Sequence, residues 1–136
     1  MKDRFTIKEE AYNRLKQDYL THGSLFVAFD FDDTIFPYTN KEDTFFEVQE
    51  LLRRCNKLNF TLILFTAREG IALNFAKRHC ERVDIKYDYV NENPIMDTRK
   101  PYWNILLDDK AGLDSAFDML NTLVKEIENG SIKFSK

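Results

Sequence analysis

The amino-acid sequence predicts an α/β domain in which a mostly parallel sheet lies between layers of helices. Two apolar runs, residues 25–31 and 60–65, have the length and continuity of strands buried on both faces. Segments with helical spacing of apolar residues alternate with these runs. The chain holds only 3 Pro and 4 Gly in 136 residues, which favours long elements with short connections. This length fits a single domain over residues 1–136, with an N-terminal helical extension (1–23) and a core (24–130).

The predicted order of elements is one helix followed by β-α-β-α-β-β-α. On the third helix, the apolar residues Ile71, Ala72, Phe75 and Ala76 are predicted to face the core. This alternation of helices and strands predicts a parallel sheet with right-handed crossovers. Open sheets of this kind bind ligands beyond the carboxyl ends of their strands. The predicted helices span residues 6–21, 41–56, 69–82 and 113–127, and the predicted strands span residues 25–31, 60–65, 87–90 and 105–107.

The composition argues against several functional classes. Hydrophobic residues make up 43% of the chain and charged residues 32%, as in an ordinary folded globular protein. The net charge of −3 provides no basic surface for nucleic acid, which is therefore not an expected partner. Cys55 and Cys80 lack the spacing of a metal site or disulfide framework, so we expect buried free thiols. No apolar run approaches the ~20 residues of a membrane span, and the charged N-terminus has no signal region, so we expect a cytoplasmic protein.

Polar residues follow each predicted strand, at the edge where an open parallel sheet binds its ligands. Several carboxylates gathered at one edge repel one another unless a cation compensates them. Hard oxygen donors of this kind suit Mg²⁺. Taken singly, each residue could cap a helix or a loop, but their conjunction indicates a metal-assisted site. The residues are Asp30, Asp32 and Asp33 after the first strand, Thr66, Ala67 and Arg68 after the second, Asn91, Glu92 and Asn93 after the third, and Asp108, Asp109 and Lys110 after the last.

Four short segments match a recognised set of motifs. Residues 30–34 read Asp-Phe-Asp-Asp-Thr, Thr66 closes the second apolar run, Lys100 precedes a proline, and residues 105–109 read Ile-Leu-Leu-Asp-Asp. By these motifs the chain resembles the haloacid dehalogenase-like phosphatase superfamily over residues 24–112. The resemblance implies a three-layer, Rossmann-like fold and an Mg²⁺-dependent phosphomonoesterase.

The resemblance also implies catalytic roles for the matching residues. Asp30 would attack phosphorus and form an aspartyl-phosphate, which is an established use of a carboxylate nucleophile. Asp32 would protonate the leaving oxygen and then help to activate the water that hydrolyses the intermediate. Thr66 and Lys100 would hold the transferring phosphoryl oxygens, since phosphoryl transfer depends mainly on positioning and charge neutralisation. Lys86 is the alternative to Lys100 as the phosphate-binding lysine.

A metal site follows from the same resemblance. Mg²⁺ would be bound by Asp30, the backbone carbonyl of Asp32 and one aspartate of the final pair. Alignment with the family assigns Asp109 to the metal and Asp108 to a supporting role, and the two assignments could be exchanged.

The spacing of the motifs leaves no room for a cap domain. Only 31 residues separate Thr34 from Thr66, and 33 separate Thr66 from Lys100, with a predicted helix and strand in each interval. The sequence therefore resembles the small capless members of the family, whose site is open. A large substrate, or a second subunit in a homo-oligomer, could cover such a site.

Residues near the motifs are candidates for substrate binding. Tyr38 follows the first motif, and Ala67 and Arg68 follow Thr66. Arg68 could pair with a distal phosphate or carboxylate of the substrate. Asp33 fills a place where many relatives have Gly, and it either adds charge beside the site or caps the loop.

Three functions remain open from the sequence. The first is a phosphomonoesterase that acts on a small phosphorylated molecule. The second is a phosphatase or phosphotransferase that acts on a macromolecular or polymer-end phosphate. The third is a non-catalytic module that binds a metal or phosphate.

Overall fold

The computed structural model of the chain describes residues 4–39, 45–92 and 102–134. Within these ranges the order of helices and strands agrees with the prediction. In chain order the elements are α1 (Arg4–His22), β1 (Phe26–Phe29), α2 (Phe46–Lys57), β2 (Thr61–Leu64), α3 (Gly70–Arg82), β3 (Tyr89–Val90), β4 (Ile105–Leu107) and α4 (Leu113–Glu128).

The described strands form one parallel sheet in the order β3-β2-β1-β4. Strand β1 lies inside the sheet, where Phe26 pairs with Thr61 of β2 and Val27 pairs with Ile105 of β4. Val27, Ala28 and Phe29 are fully buried, as expected for an inner strand of a parallel sheet, and Phe26 is partly buried. Four described helices flank the sheet, so the predicted α/β fold, Rossmann-like and three-layered, is confirmed. None of these helices is long and apolar enough to cross a membrane.

The N-terminal helix α1 packs into the core of the domain. Leu15 and Tyr19 are buried in the hydrophobic cluster. The Tyr12 hydroxyl donates a hydrogen bond of 2.8 Å to Glu126 on α4, and the Asn104 amide donates one of 3.2 Å to Asp18. The extension therefore fastens α4 and the segment before β4 to the same core.

Three of the four described strands are shorter than predicted, whereas β4 has the predicted bounds, Ile105–Leu107. The predicted strand 25–31 contracts to Phe26–Phe29, and the predicted strand 87–90 contracts to Tyr89–Val90. Phe31 is fully buried although it lies in a loop, so its apolar character extended the predicted strand beyond the true end. The predicted start of the second helix, residues 41–44, lies outside the described ranges.

The predicted inward face of α3 is wrong in its first turns. Ile71 is 89% exposed and Phe75 37% exposed, and Ala72 is also exposed, whereas Ala76 and Cys80 are fully buried. The helix begins after the carboxyl end of β2, so its first turns extend past the strands and have no sheet to pack against. Cys80 and Cys55 are both free and buried, as predicted.

Candidate active site

A cavity of about 790 Å³ opens at the carboxyl ends of the strands. It collects most of the predicted site residues, from the loops after β1, β2 and β4. It also includes residues that were assigned no catalytic or binding role from the sequence, among them Phe65, Asn91 and Lys110. The lining residues are Asp30, Asp32, Asp33, Tyr38, Thr39, Phe65, Thr66, Ala67, Asn91, Asp108, Asp109 and Lys110.

Three carboxylates meet where β1 and β4 end. Asp30, Asp108 and Asp109 each offer one oxygen, and these oxygens lie within 4.8 Å of one another. The Asp30 N–H donates a hydrogen bond of 2.9 Å to the Leu107 carbonyl, which continues the pairing of the two strands by one residue. That pairing places Asp30 beside the aspartates that follow Leu107. We call Asp30, Asp108 and Asp109 the acidic cluster.

Burial and neighbouring negative charge disfavour the ionised forms of Asp30 and Asp109. Burial raises the pKa of Asp30 to about 7, against a lowering contribution from the Phe31 N–H, and the charges of Asp108 and Asp109 raise it further. Burial and the neighbouring Asp108 also raise the pKa of Asp109. Carboxylate oxygens gathered in this way are suited to a divalent cation such as Mg²⁺, because the ion would compensate their mutual repulsion, for which the described residues show no ion pair.

Asp33 caps the loop after β1 and also adds negative charge beside the site, so the structure shows both roles that were open from the sequence. Its backbone is left-handed, with φ 56°. Its carboxylate accepts hydrogen bonds from the N–H groups of Tyr38 at 3.0 Å and Thr39 at 2.9 Å, and from the Thr39 hydroxyl at 2.5 Å. Aspartate adopts this backbone conformation more readily than most residues. Its carboxylate can also accept hydrogen bonds from nearby backbone N–H groups and so close the turn. The capped loop holds Tyr38 at the cavity.

Thr34 connects the loop after β1 to the loop after β4. Its side chain is fully buried, and its hydroxyl accepts a hydrogen bond of 3.1 Å from the Asp109 N–H. The sequence analysis gave Thr34 no role, although its place at the end of the first motif was a signal. The hydroxyl fixes the backbone of one member of the acidic cluster.

Thr66 is held at the cavity by Asn91, which the sequence analysis placed at a strand end without a role. The Thr66 N–H donates a hydrogen bond of 2.8 Å to Oδ1 of Asn91, and Nδ2 of Asn91 donates one of 3.0 Å to the Thr66 carbonyl. The Thr66 hydroxyl accepts the N–H of Arg68 at 3.2 Å. Because the hydroxyl oxygen already accepts a bond, its own hydrogen is available to an oxygen in the cavity.

Asp32 lies in the same cavity, but its carboxylate is paired with Arg68 rather than joined to the acidic cluster. Nη2 of Arg68 donates to Oδ1 of Asp32 at 2.6 Å, and Nε lies 3.0 Å from Oδ2. Hydrogen bonding to Asp32 raises the pKa of Arg68, against a lowering by burial. This pair was not predicted from the sequence, because Arg68 was expected to bind an anionic group of the substrate and Asp32 to act as the acid and base.

The two candidate lysines have different outcomes. Lys100 lies outside the described residues, so its role stays a prediction. Lys86 precedes β3, and its backbone exchanges hydrogen bonds with the Asn56 side chain at the end of α2. It lines a separate cavity with Arg53 and shares no wall with the acidic cluster, which argues against the Lys86 alternative.

Comparisons with known proteins bear on the fold. No family model matches the chain, and no curated protein matches it either. A solved structure of a conserved protein from Bacteroides thetaiotaomicron superposes with a TM-score of 0.60 at 21% sequence identity. The match covers 79% of this chain and 92% of that one. At this identity the likeness shows a shared α/β fold.

Proposed function

We propose that the chain is an Mg²⁺-dependent phosphohydrolase that acts on phosphomonoesters through an aspartyl-phosphate on Asp30. The observation that supports this most is the acidic cluster, which joins Asp30 to Asp108 and Asp109 at the carboxyl edge of the sheet. The hydroxyl-bearing Thr66 lines the same cavity. The proposal places the chain with the haloacid dehalogenase-like phosphatases, which its motifs resemble.

The acidic cluster suits Mg²⁺ by its donor chemistry. Mg²⁺ takes oxygen ligands, usually one or two carboxylates with several waters. Asp30 and Asp109 would bind the ion, with Asp108 beside them and the backbone carbonyl of Asp32 as the ligand that the resemblance implies. The bound ion would neutralise charge on the phosphoryl group and on the carboxylates around it.

The described side chains then divide the reaction into two displacements. In the first, a carboxylate oxygen of Asp30 attacks phosphorus, the ester P–O bond breaks, and the leaving oxygen takes a proton from Asp32. In the second, water attacks the same phosphorus and gives a proton to Asp32, and the P–O bond to Asp30 breaks to release phosphate. Asp30 and Asp32 line one cavity, as both steps require.

Thr66 and nearby lysines would hold the phosphoryl oxygens during both steps. The Thr66 hydroxyl keeps its hydrogen for a cavity oxygen, because its own oxygen accepts the Arg68 N–H. Lys110 lines the cavity and can add positive charge there, and Lys100, which lies outside the described residues, stays the lysine that the resemblance implies. The two free, buried thiols fit a reducing compartment, and we propose a cytoplasmic location on that ground.

One observation favours a macromolecular phosphate as the alternative substrate. Tyr38 is 59% exposed, and Ile71 and Phe75 of α3 also present apolar surface to solvent. Tyr38 and Phe75 both contact the Arg68 guanidinium, so this exposed apolar surface lies beside the cavity. A protein or polymer that bears the phosphate could cover it.

The test is phosphate release by the purified chain from a panel of small and macromolecular phosphomonoesters. We expect release that requires Mg²⁺, stops when the metal is chelated, and transfers one oxygen from labelled water to the phosphate. The substrate with the highest kcat/KM shows whether the chain prefers a small phosphorylated molecule or a macromolecular phosphate. Mg²⁺ binding without release from any member of the panel would contradict the proposal and favour the non-catalytic module.

A further inference from the structure

The guanidinium of Arg68 carries two adjacent N–H donors, Nε and Nη2, which we call the fork. The carboxylate of Asp32 occupies this fork. Nε lies 3.2 Å from Oδ1 and 3.0 Å from Oδ2 of Asp32, and Nη2 lies 2.6 Å from Oδ1. This bidentate geometry is the one by which arginine binds a carboxylate or a phosphate of a ligand. Asp32 therefore occupies the place that a ligand oxyanion would take on Arg68.

The guanidinium is also held by aromatic rings, which do not depend on Asp32. Its central carbon lies 4.9 Å from the ring centre of Phe31, 5.6 Å from those of Phe36 and Phe75, and 5.9 Å from that of Tyr38. Cation–π contacts of this kind are favourable at such distances. The rings thus keep the fork in place when Asp32 moves away.

Asp32 separates the fork from the cavity. The Asp32 side chain lines the cavity, whereas Arg68 is not among the lining residues. The pair is partly open to solvent, with side-chain exposures of 17% for Arg68 and 29% for Asp32. An ion pair that solvent reaches contributes little net stability, so one oxyanion can replace another on the fork at small cost.

We propose that Arg68 determines specificity by selecting phosphomonoesters that carry a second oxyanion on the leaving group. The second oxyanion, a carboxylate or a phosphate, replaces Asp32 on the Arg68 fork. The released Asp32 then turns toward the leaving oxygen, where the mechanism needs it. Arg68 keeps one anionic partner throughout, and the released Asp32 carboxylate takes a proton from solvent, which it then gives to the leaving oxygen. This inference rests on the proposed function and names its substrate class.

The first test compares matched substrates on the wild-type chain with Mg²⁺ present. Alkyl phosphates of increasing length that end in a carboxylate are paired with the corresponding terminal amides, and terminal bisphosphates are paired with alkyl monophosphates. At the length that reaches Arg68, we expect kcat/KM of the anionic member to exceed that of its neutral partner by about tenfold or more. The series with the larger ratio identifies whether carboxylate or phosphate is the second oxyanion.

The second test removes the fork. In Arg68→Gln we expect the ratio of kcat/KM values to fall to near one, and in Arg68→Lys to fall in between, because lysine keeps the charge but not the bidentate geometry. Arg53→Gln is the matched control. Arg53 also lies over an aromatic ring, 5.6 Å from the centre of Phe46, but it lines a cavity that shares no residue with the candidate site. We expect the control to keep the wild-type ratio.

A binding measurement gives a readout that needs no turnover and no Arg68 variant. Calorimetry would follow a non-hydrolysable phosphonate with a terminal carboxylate, and its terminal amide, on the wild-type chain and on Asp32→Asn. We expect Asp32→Asn to bind the carboxylate more tightly than the wild type, by about tenfold, and to gain no such preference for the amide. Equal affinities for the carboxylate would overturn the exchange.

The outcomes separate this inference from the proposed function. Phosphate release with a ratio near one at every chain length overturns the role of Arg68 and leaves the phosphohydrolase intact. The same holds if Arg68→Gln and Arg53→Gln change the ratio alike. Absence of release from every substrate overturns both proposals.

Discussion

The two groups of carboxylates in the cavity differ in how their charge is balanced. Asp32 accepts hydrogen bonds from Arg68, which four aromatic rings hold in place. Asp30, Asp108 and Asp109 have one another as near neighbours, and the pKa of Asp30 is raised to about 7. Among the described residues, Arg68 therefore balances the charge of Asp32, whereas no described ion pair balances the acidic cluster, which would depend on a bound cation.

This difference distinguishes the environments of two proposed catalytic residues, Asp30 and Asp32, that lie two positions apart in the first motif. The proposed nucleophile, Asp30, belongs to the acidic cluster, for which the described residues show no ion pair, so a bound ion would also keep Asp30 ionised for attack. The proposed acid/base residue, Asp32, is paired with Arg68, so in our proposal its release depends on what binds Arg68. Metal would control the first residue and substrate the second.

The largest expected effect comes from removing the nucleophile. In Asp30→Asn the carboxamide cannot form the aspartyl-phosphate, so we expect kcat for phosphate release to fall by at least about a thousandfold. The measurement is release of inorganic phosphate from an aryl phosphate with saturating Mg²⁺.

Asp84→Asn is the matched control for this change. Asp84 is exposed, has a positive φ of 60° that asparagine also tolerates, and lines the cavity near Lys86 rather than the candidate site. We expect it to keep wild-type turnover. Activity in Asp30→Asn equal to that of the control would refute the nucleophile assignment.

A second prediction concerns Mg²⁺ affinity and tests the comparison directly. Asp109→Asn removes a charge from the acidic cluster, for which the described residues show no ion pair, so we expect the Mg²⁺ dissociation constant to rise by about tenfold to a hundredfold. Asp32→Asn removes a charge that Arg68 already compensates, so we expect a change of about threefold or less. Calorimetric titration with MgCl₂ measures both. Equal losses in the two variants would show that the charge of Asp32 contributes to the metal site.

The acidic cluster could be predicted from the sequence because its cause is topological. Parallel strands bring their carboxyl ends to one edge, so an aspartate after β1 and two after β4 were expected at the same edge once those strands were recognised, and they meet because β1 and β4 are neighbours. The observed register, with Phe29 opposite Leu107, places Asp30 beside the final pair. Which of Asp108 and Asp109 would bind the metal directly depends on the directions of their side chains, and local sequence does not determine those directions.

The Arg68–Asp32 pair and the exposed end of α3 could not be predicted in the same way. The pair forms because the loop after β1 folds back, with Asp33 closing it onto Tyr38 and Thr39, and brings three aromatic rings to Arg68. The exposure of Ile71 depends on where the sheet ends beneath the helix. Helical periodicity shows that a face is apolar, but not how far its partner extends.

A third prediction follows from the raised pKa of Asp30. The folded value of about 7 lies above the ordinary value near 3.8, so the folded state holds the proton more tightly than the unfolded state. The resulting stabilisation is complete below about pH 4 and is lost as the pH rises through about 7. Because Asp30 is partly open to solvent, we expect the metal-free Tm to fall by about 2–4 °C over this range.

Mg²⁺ should reverse this loss at the alkaline end. We expect the ion to raise Tm more at about pH 8 than at about pH 5, since it binds the ionised carboxylates. Asp30→Asn should remove most of the pH dependence of the metal-free protein, and Asp84→Asn should leave it unchanged. Thermal melts in chelator and in MgCl₂ measure each case. An equal Mg²⁺ effect at both pH values would contradict coupling between the ion and Asp30.

The smallest expected effect tests the link between the two groups of carboxylates. Thr34 lies two residues after Asp32 and accepts the Asp109 N–H at 3.1 Å, so it ties the loop of the paired aspartate to the loop of the acidic cluster. Thr34→Val keeps the shape of the buried side chain but leaves that N–H without its acceptor, at a cost of about 1–2 kcal/mol in the free energy of unfolding. Urea unfolding measures this cost, and Thr122→Val, which alters an exposed hydroxyl on α4 away from the cavity, is the control. If the link positions Asp109, Thr34→Val also weakens Mg²⁺ binding, whereas an unchanged affinity would mean that the two groups are built independently.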